Sequence, residues 1–193
     1  MGSNYSCQLG SNAPGVKNAE SMSPVQVVGL EGKRVIRLSC GGYHSVCSTD
    51  QDEVCTPSRL CSRCVCCAQV YVWGQNSYGQ LGLSETTTGN VETATLHPHL
   101  KGQWAHFANG MYHGMALDLS GKVWSWGDAY STSYPCCGHG IATKTPLPKV
   151  IEAFSGMTVV QIGSSNYHSI ALTSDGKVWT WGYGQRSISR AVL

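Results

Sequence analysis

Three stretches of this chain repeat one another in register, and no other feature limits its fold as strongly. Ile36 to Thr49 (IRLSCGGYHSVCST), Ala105 to Trp126 (AHFANGMYHGMALDLSGKVWSW) and Val159 to Trp181 (VVQIGSSNYHSIALTSDGKVWTW) each carry a Tyr-His pair at the same place: Tyr43-His44, Tyr112-His113 and Tyr167-His168. His113 to Trp126 and His168 to Trp181 both span 13 residues, and the pairs Trp73-Gly74, Trp126-Gly127 and Trp181-Gly182 recur at intervals of 53 and 55. Such a period marks an architecture built from one supersecondary unit, in the size range of a four-stranded propeller blade.

Within a unit the residues alternate as strands do. In Tyr167 to Thr173 the apolar Ile170 and Leu172 are two apart, and Lys177-Val178-Trp179-Thr180-Trp181 alternates again. Ser174-Asp175-Gly176 between them predicts a hairpin, because Gly supplies the positive φ of a tight β-turn, and Leu119-Ser120-Gly121 predicts the same one unit earlier. The pairs Trp124/Trp126, Trp179/Trp181 and Tyr71/Trp73 fall on one strand face, placed to bury area against a neighbouring sheet. From His44 to Trp73 is 29 residues, so the first unit holds 16 more than the others, and a cysteine-rich insert at 50–67 accounts for them.

The 193 residues suit one domain (1–193), and only 12% are charged against roughly a quarter in an average soluble protein. The 23 glycines fit a turn-dense β protein. A formal charge of +2, with no run of four basic residues, gives no footprint for nucleic acid or anionic lipid. No stretch approaches 18 consecutive apolar residues, and Met1 is followed by Gly2-Ser3-Asn4-Tyr5 rather than an export signal. The ten cysteines then read as reduced thiols of a cytoplasmic or nuclear protein.

These units resemble the repeat of the regulator of chromosome condensation family: Gly-x-x-His-Ser/Thr-x-x-Leu, then Asp-Gly-x-Val-x-x-Trp-Gly, then x-Asn-x-x-Gly-Gln-Leu-Gly. Val72-Trp73-Gly74-Gln75-Asn76-Ser77-Tyr78-Gly79-Gln80-Leu81-Gly82 is the best match, and Gly2 to Gly10 repeats it without the leading Trp. Cys7 and Pro135 stand where the motif has Gly, and Ala129 to Cys137 is longer by three residues. The resemblance implies an all-β fold, a β-propeller of that family's type. The family's ring has seven blades, and this chain holds about three to four, so an incomplete ring is expected. Both ends fall inside the same motif, and a non-matching tail occupies 186–193, as in a fragment or splice form of a longer propeller. Open blade edges would favour self-association.

Candidate chemistry is sparse. His44, His113 and His168 recur once per unit, whereas a catalytic site occurs once per domain; their expected role is structural, a hydrogen bond locking the turn before the hairpin. Gly79 and Gly82 sit in a repeated turn with no Gly-Lys-Ser/Thr after them, which excludes a phosphate loop of that type. No nucleophile-elbow motif or carboxylate pair stands out, so no enzyme activity is expected. Cys55, Cys61, Cys64 and Cys67 have spacings that suit tetrahedral zinc, but the segment lacks His and interrupts a hairpin, and it reads instead as an exposed, disordered or non-native loop. His97, His99 and His106 are expected on a solvent-exposed stretch between strands.

The function expected from this reading is a protein-interaction or regulatory module, with variable loops at Ser84 to Trp104 and Tyr130 to Lys149 presented over a rigid ring. The alternative implied by the resemblance is guanine-nucleotide exchange on a small GTPase, which needs no acid–base residue. A non-functional fragment of a larger multidomain protein is a further expectation. No residue of an exchange surface carries over, because the largest insertion precedes a Trp-Gly instead of following one.

Overall fold

The computed structural model describes residues 2–11, 20–21, 23–50, 68–84, 86, 89–127, 135–140 and 144–183. Strands β1 (Gly2–Ser3) and β2 (Glu20–Ser21) pair with each other near the start of the chain. The first repeat follows as a four-stranded antiparallel sheet of β3 (Arg34–Cys40), β4 (His44–Asp50), β5 (Gln69–Gly74) and β6 (Val91–Lys101). A second contains β7 (Trp104–Asn109), β8 (His113–Asp118), β9 (Val123–Gly127) and β10 (Thr145–Val150), and a third contains β11 (Val159–Ser164), β12 (His168–Thr173) and β13 (Val178–Gly182). Strands follow chain order within each sheet, and the leading strands β3, β7 and β11 lie side by side. The sheets are therefore the blades of a β-propeller arc, as expected, and the ring does not close among the described residues.

The three blades share one register. His44 pairs with Gly74, His113 with Gly127 and His168 with Gly182. Each first strand also carries the same one-residue bulge, at Ile36, Ala105 and Val160. In the first blade Thr49 still pairs with Gln69, so β4 and β5 keep the common register on either side of the insert. Of the insert at 50–67, Asp50 is the last residue of β4, and 51–67, like the tail at 186–193, lies outside the described residues. The anticipated hairpins are present: Gly121 and Gly176 adopt φ of +86° and +83°, each closing a loop in which Asp118 or Thr173 exchanges backbone hydrogen bonds with residues three and four further on. Asp118 reinforces its turn, accepting the amides of Ser120 and Lys122 on Oδ1 and the Trp124 indole N–H on Oδ2.

The core lies between blades. Each sheet has a leading face, turned to the next blade, and a trailing face, turned to the previous one. Val46, Val70 and Val72 on the leading face of blade one meet Trp104, Phe107, Ala116 and Trp126 on the trailing face of blade two. Met115, Leu117 and Val123 then meet Val159, Ile162 and Ala171 of blade three, with Ile151 and Phe154 filling the outer margin. Phe154 sits edge-on to Trp179 at 5.9 Å and against Trp181 at 5.6 Å between centroids. The paired aromatics read from the sequence are thus trailing-face residues.

Every junction carries the same lock. The indole N–H of Trp73 donates to the Gln8 carbonyl at 3.0 Å, Trp126 to Gln80 at 2.9 Å and Trp181 to Cys136 at 2.8 Å. The glycine ending each of these motifs is left-handed, with φ of +61° at Gly10, +67° at Gly82 and +75° at Gly138, and the indole lies where a Cβ would be. The rest of the motif shapes that loop: Asn4 and Asn76 accept the amides of Leu9 and Leu81, while Gln8 and Gln80 accept those of Ser6 and Tyr78. Cys7, in the place of Gly79, is itself left-handed at φ 60°, a conformation costing a non-glycine residue about 1–2 kcal/mol.

Two expectations are corrected. Ser84 to Trp104 is not mainly loop, because it contains the eleven-residue strand β6; Tyr130 to Lys149 likewise contains most of β10. His97 is not solvent-exposed: it is buried on β6 against Gly82, and its Nδ1 accepts the amides of His99 and Leu100 at 3.1 and 2.9 Å. His99 on β6 and His106 on β7 are exposed, but on strands.

Two predictions follow from the register and the lock. Replacing Asp50 to Ala68 by Ser-Asp-Gly, the turn of the third blade, is expected to raise unfolding free energy by about 1–2 kcal/mol through the shorter loop closure; a drop in the denaturation midpoint would show that the segment contributes contacts. Gly82→Ala is expected to cost about 2–4 kcal/mol, combining left-handed strain with the clash against Trp126. Gly32→Ala, at φ +68° with open space around it, should lose only the strain, and equal losses in chemical denaturation would remove the lock from the explanation.

Candidate interaction surface

The repeated histidines close their turns through the backbone. The amides of Gly41, Gly110 and Ser165 donate to the carbonyls of His44, His113 and His168 at 2.8–2.9 Å. The His113 imidazole does something else: it crosses to the next blade, with Nε2 3.0 Å from both Ser164 Oγ and Ser169 Oγ. Those hydroxyls donate to the carbonyls of Ser165 and Cys136, so a shared Nε2–H satisfies the group and leaves Nδ1 without a donor. Around His44 the equivalent positions are Asn109 and Gly114. Asn109 is near enough to favour the imidazolium, yet neither ring nitrogen of His44 makes a hydrogen bond of sound geometry. His168 is exposed.

Burial sets the charge state of these rings. Desolvation, followed by repulsion from His44 and His168, pushes the His113 pKa down to about 3; desolvation takes His44 and His97 down to about 4. His44 and His113, buried between sheets, are thereby held neutral near pH 7. The zinc candidates Cys55, Cys61, Cys64 and Cys67 lie outside the described residues. Among the described residues no group of three or more His, Cys, Asp or Glu is placed to hold a metal ion.

One surface stands apart, at the end of the sheets where β3 turns into β4, β7 into β8 and β11 into β12. The residue before each histidine is Tyr43, Tyr112 or Tyr167, half-buried, and the rings form a row with centroids 6.0 and 6.3 Å apart. Tyr78 joins at 4.5 Å from Tyr112, and the exposed Tyr183 extends the row 6.5 Å beyond Tyr167. Tyr167 Oη donates to the Met111 sulfur at 3.1 Å.

The backbone beneath is fixed. Gly42 N–H donates to Gly110 O and Met111 N–H to Asn166 O, at 3.1 Å each, joining successive turns. The tyrosine carbonyls also explain the Trp-Gly pairs: Gly74, Gly127 and Gly182 adopt φ of +107° to +111°, and a Cβ there would collide with the carbonyl of Tyr43, Tyr112 or Tyr167. The three turns, 41–44, 110–113 and 165–168, contain no Asp, Glu, Lys or Arg. A rigid, uncharged, aromatic rim has the composition of a protein-contact patch. Sequence reasoning used the Tyr-His pairs only to find the repeat; the available signal was Tyr recurring at a position that the motif leaves open.

The buried histidines make a pH test. Their folded pKa values lie below the unfolded 6.5, so the native state binds fewer protons, and the stability they allow is complete above pH 6.5 and lost as pH falls toward 4 and 3. Each adds a slope of about 1.4 kcal/mol per pH unit between those limits. His113→Gln is expected to flatten the decline of unfolding free energy between pH 6.5 and 4 by about that slope; an unchanged decline would mean that the imidazole is charged in the fold.

Comparison with known proteins agrees with this geometry. Two family models described as the regulator of chromosome condensation (RCC1) repeat match, one at residues 1–48, 68–117 and 120–172 and the other at 159–187. The human probable E3 ubiquitin-protein ligase HERC6 is 28% identical over 162 residues, 84% of this chain and 14% of that protein. Human WBSCR16 superposes with a TM-score of 0.69 at 25% identity over 96% of this chain and 42% of its own, and Prp20p of Saccharomyces cerevisiae with 0.67 at 20%, over 95% and 40%. The chain thus spans well under half the length of each of these proteins. With three consecutive repeats matched over most of its length, it belongs to the family of RCC1-repeat proteins.

Proposed function

We propose that the chain is a non-catalytic protein-binding module of the cytoplasm or nucleus, and that the tyrosine rim is its contact surface. The observation that carries this reading is the row Tyr43, Tyr112, Tyr167 and Tyr183, with Met111 and Tyr78 beside it, on turns held by inter-blade backbone bonds. Tyrosine and methionine are enriched in interface cores where charged groups are depleted, and rings already fixed in the free protein lose little entropy on binding. The described cysteines are thiols, including the exposed Cys40, which suits a reducing compartment.

Exchange on a small GTPase is the second reading, raised because Prp20p is described by its binding properties to Gsp1p and histones. The ligase activity in the name of HERC6 belongs to a protein of which this chain spans 14%. A photo-crosslinking residue at Tyr112, compared with one at Leu119 at the opposite end of β8, separates the readings from a bland surface. Discrete protein adducts are expected at 112 and not at 119, and Tyr112→Ala is expected to weaken the captured partner by about tenfold or more. Equal adducts at both positions would refute the rim. Adducts that include a GTPase, with faster release of its nucleotide in the presence of this chain, would establish the exchange reading.

A further inference from the structure

The tyrosine rim is periodic as well as aromatic. Tyr43, Tyr112 and Tyr167 follow one another at 6.0 and 6.3 Å between centroids, with tilts of 32° and 41°, so nearly the same step carries each ring to the next. The step comes from the blade repeat. Each ring stands at the same place in its turn, and the bonds from Gly42 N–H to Gly110 O and from Met111 N–H to Asn166 O fix the turns to one another. Tyr112 has a neighbouring turn on each side and is still only half-buried. Such a surface is matched by a ligand whose own side chains recur at that distance along one side.

Backbone geometry selects that ligand. In an extended strand every second side chain points the same way, about 6.4–6.8 Å apart and closer where the strand twists. A polyproline helix advances about 6.2 Å over two residues, but its threefold symmetry turns successive alternate residues to different sides. On an α-helix, residues four apart lie about 6.0 Å apart along the axis, yet each such step rotates by about 40°, so a third side chain leaves the row. Only the extended form keeps three side chains in line at this spacing. The turns 41–44, 110–113 and 165–168 hold no Asp, Glu, Lys or Arg, so they offer no charge to pair with a phosphate or an ionised side chain. Their main chain is engaged as well: the Tyr43 and Tyr167 carbonyls accept the amides of Gln75 and Tyr183, and the Gly42 and Met111 amides are taken by the next blade. A strand docked here adds no ladder to a sheet and is read through its side chains.

We infer that the rim receives an extended segment of a partner protein with uncharged apolar side chains at every second position, one on each of Tyr43, Tyr112 and Tyr167. The inference rests on the rim being the contact surface and adds the chemistry of what that surface reads. Alternating β-branched and small polar residues satisfy it. The branched side chains hold the segment extended and bring apolar area to the rings, while the intervening residues face solvent.

Fluorescence polarisation tests it with two labelled peptides of equal composition, Lys-Ile-Thr-Ile-Thr-Ile-Lys and Lys-Ile-Ile-Ile-Thr-Thr-Lys. The full chain is expected to bind the alternating peptide with a Kd of about 1 mM or tighter, and the other at least about tenfold more weakly. Tyr112→Ala is expected to abolish the preference with its far-UV circular dichroism and melt retained, and Leu119→Ala, at the opposite end of β8, to leave it intact. If Tyr112→Ala does not fold, Tyr43→Ala takes its place. Equal binding of the two peptides, binding of neither, or a preference that survives the tyrosine variant would each overturn the inference, as would tighter binding of labelled decaproline or of a thymidine decamer. Crosslinking at residue 112 judges the rim separately. Discrete adducts there without the peptide preference leave the contact surface standing and remove the extended ligand, whereas equal adducts at 112 and 119 remove the surface itself.

Discussion

The structure depends on one contact, made at each of its three junctions: an indole laid over a left-handed glycine and hydrogen-bonded to a carbonyl two residues before it. The contact uses a backbone carbonyl and the absence of a Cβ, so it tolerates change in the side chains around it. Gln8-Leu9-Gly10 and Gln80-Leu81-Gly82 make it, and so does Cys136-Cys137-Gly138, where neither Gln nor Leu remains. Only the glycine and the tryptophan are kept at all three junctions. Removing an indole would leave a carbonyl unpaired and a cavity between sheets, whereas changing the glutamine alters only the shape of its own loop.

Because the lock ties each blade to the motif before it, the fold behaves as a row of neighbours, each unit touching only the next. That explains how blade one accommodates 16 extra residues without losing register: the insertion leaves the hairpin at the end opposite the Trp-Gly pairs, away from the lock. It also explains why the histidines differ. The His113 imidazole meets two hydroxyls in blade three, His44 meets an asparagine and a glycine in blade two, and His168 stays exposed. The role of each is set by the following blade and not by its own.

The strands, the shared register and the aromatic trailing faces were legible in the residues because the repeat makes every assignment check itself against two others. What was not legible lies off the repeat. In β6 the buried residues Ala94, His97 and Leu100 are three apart, a spacing that bulged pairing with β5 permits and that alternation does not anticipate, so His97 read as exposed. The partners of His113 lie 51 and 56 residues downstream, beyond any local pattern. The tyrosine row depends on how far the blades rotate about the arc, and spacing in the chain does not encode that distance. The zinc question turns on Cys55 to Cys67, outside the described residues.

The two kinds of apolar surface differ in origin, and the difference separates their uses. Leu38, Ile170 and Val178 are exposed because the blade face each belongs to has no successor or predecessor among the described residues; their chemistry is that of a core, and their natural complement is another blade. The tyrosines are half-exposed at every repeat, including the junctions where the blades are fully packed, so no further blade would bury them. An unfilled blade face is satisfied by continuing the fold, whereas an aromatic rim repeated along complete junctions persists however many units are joined.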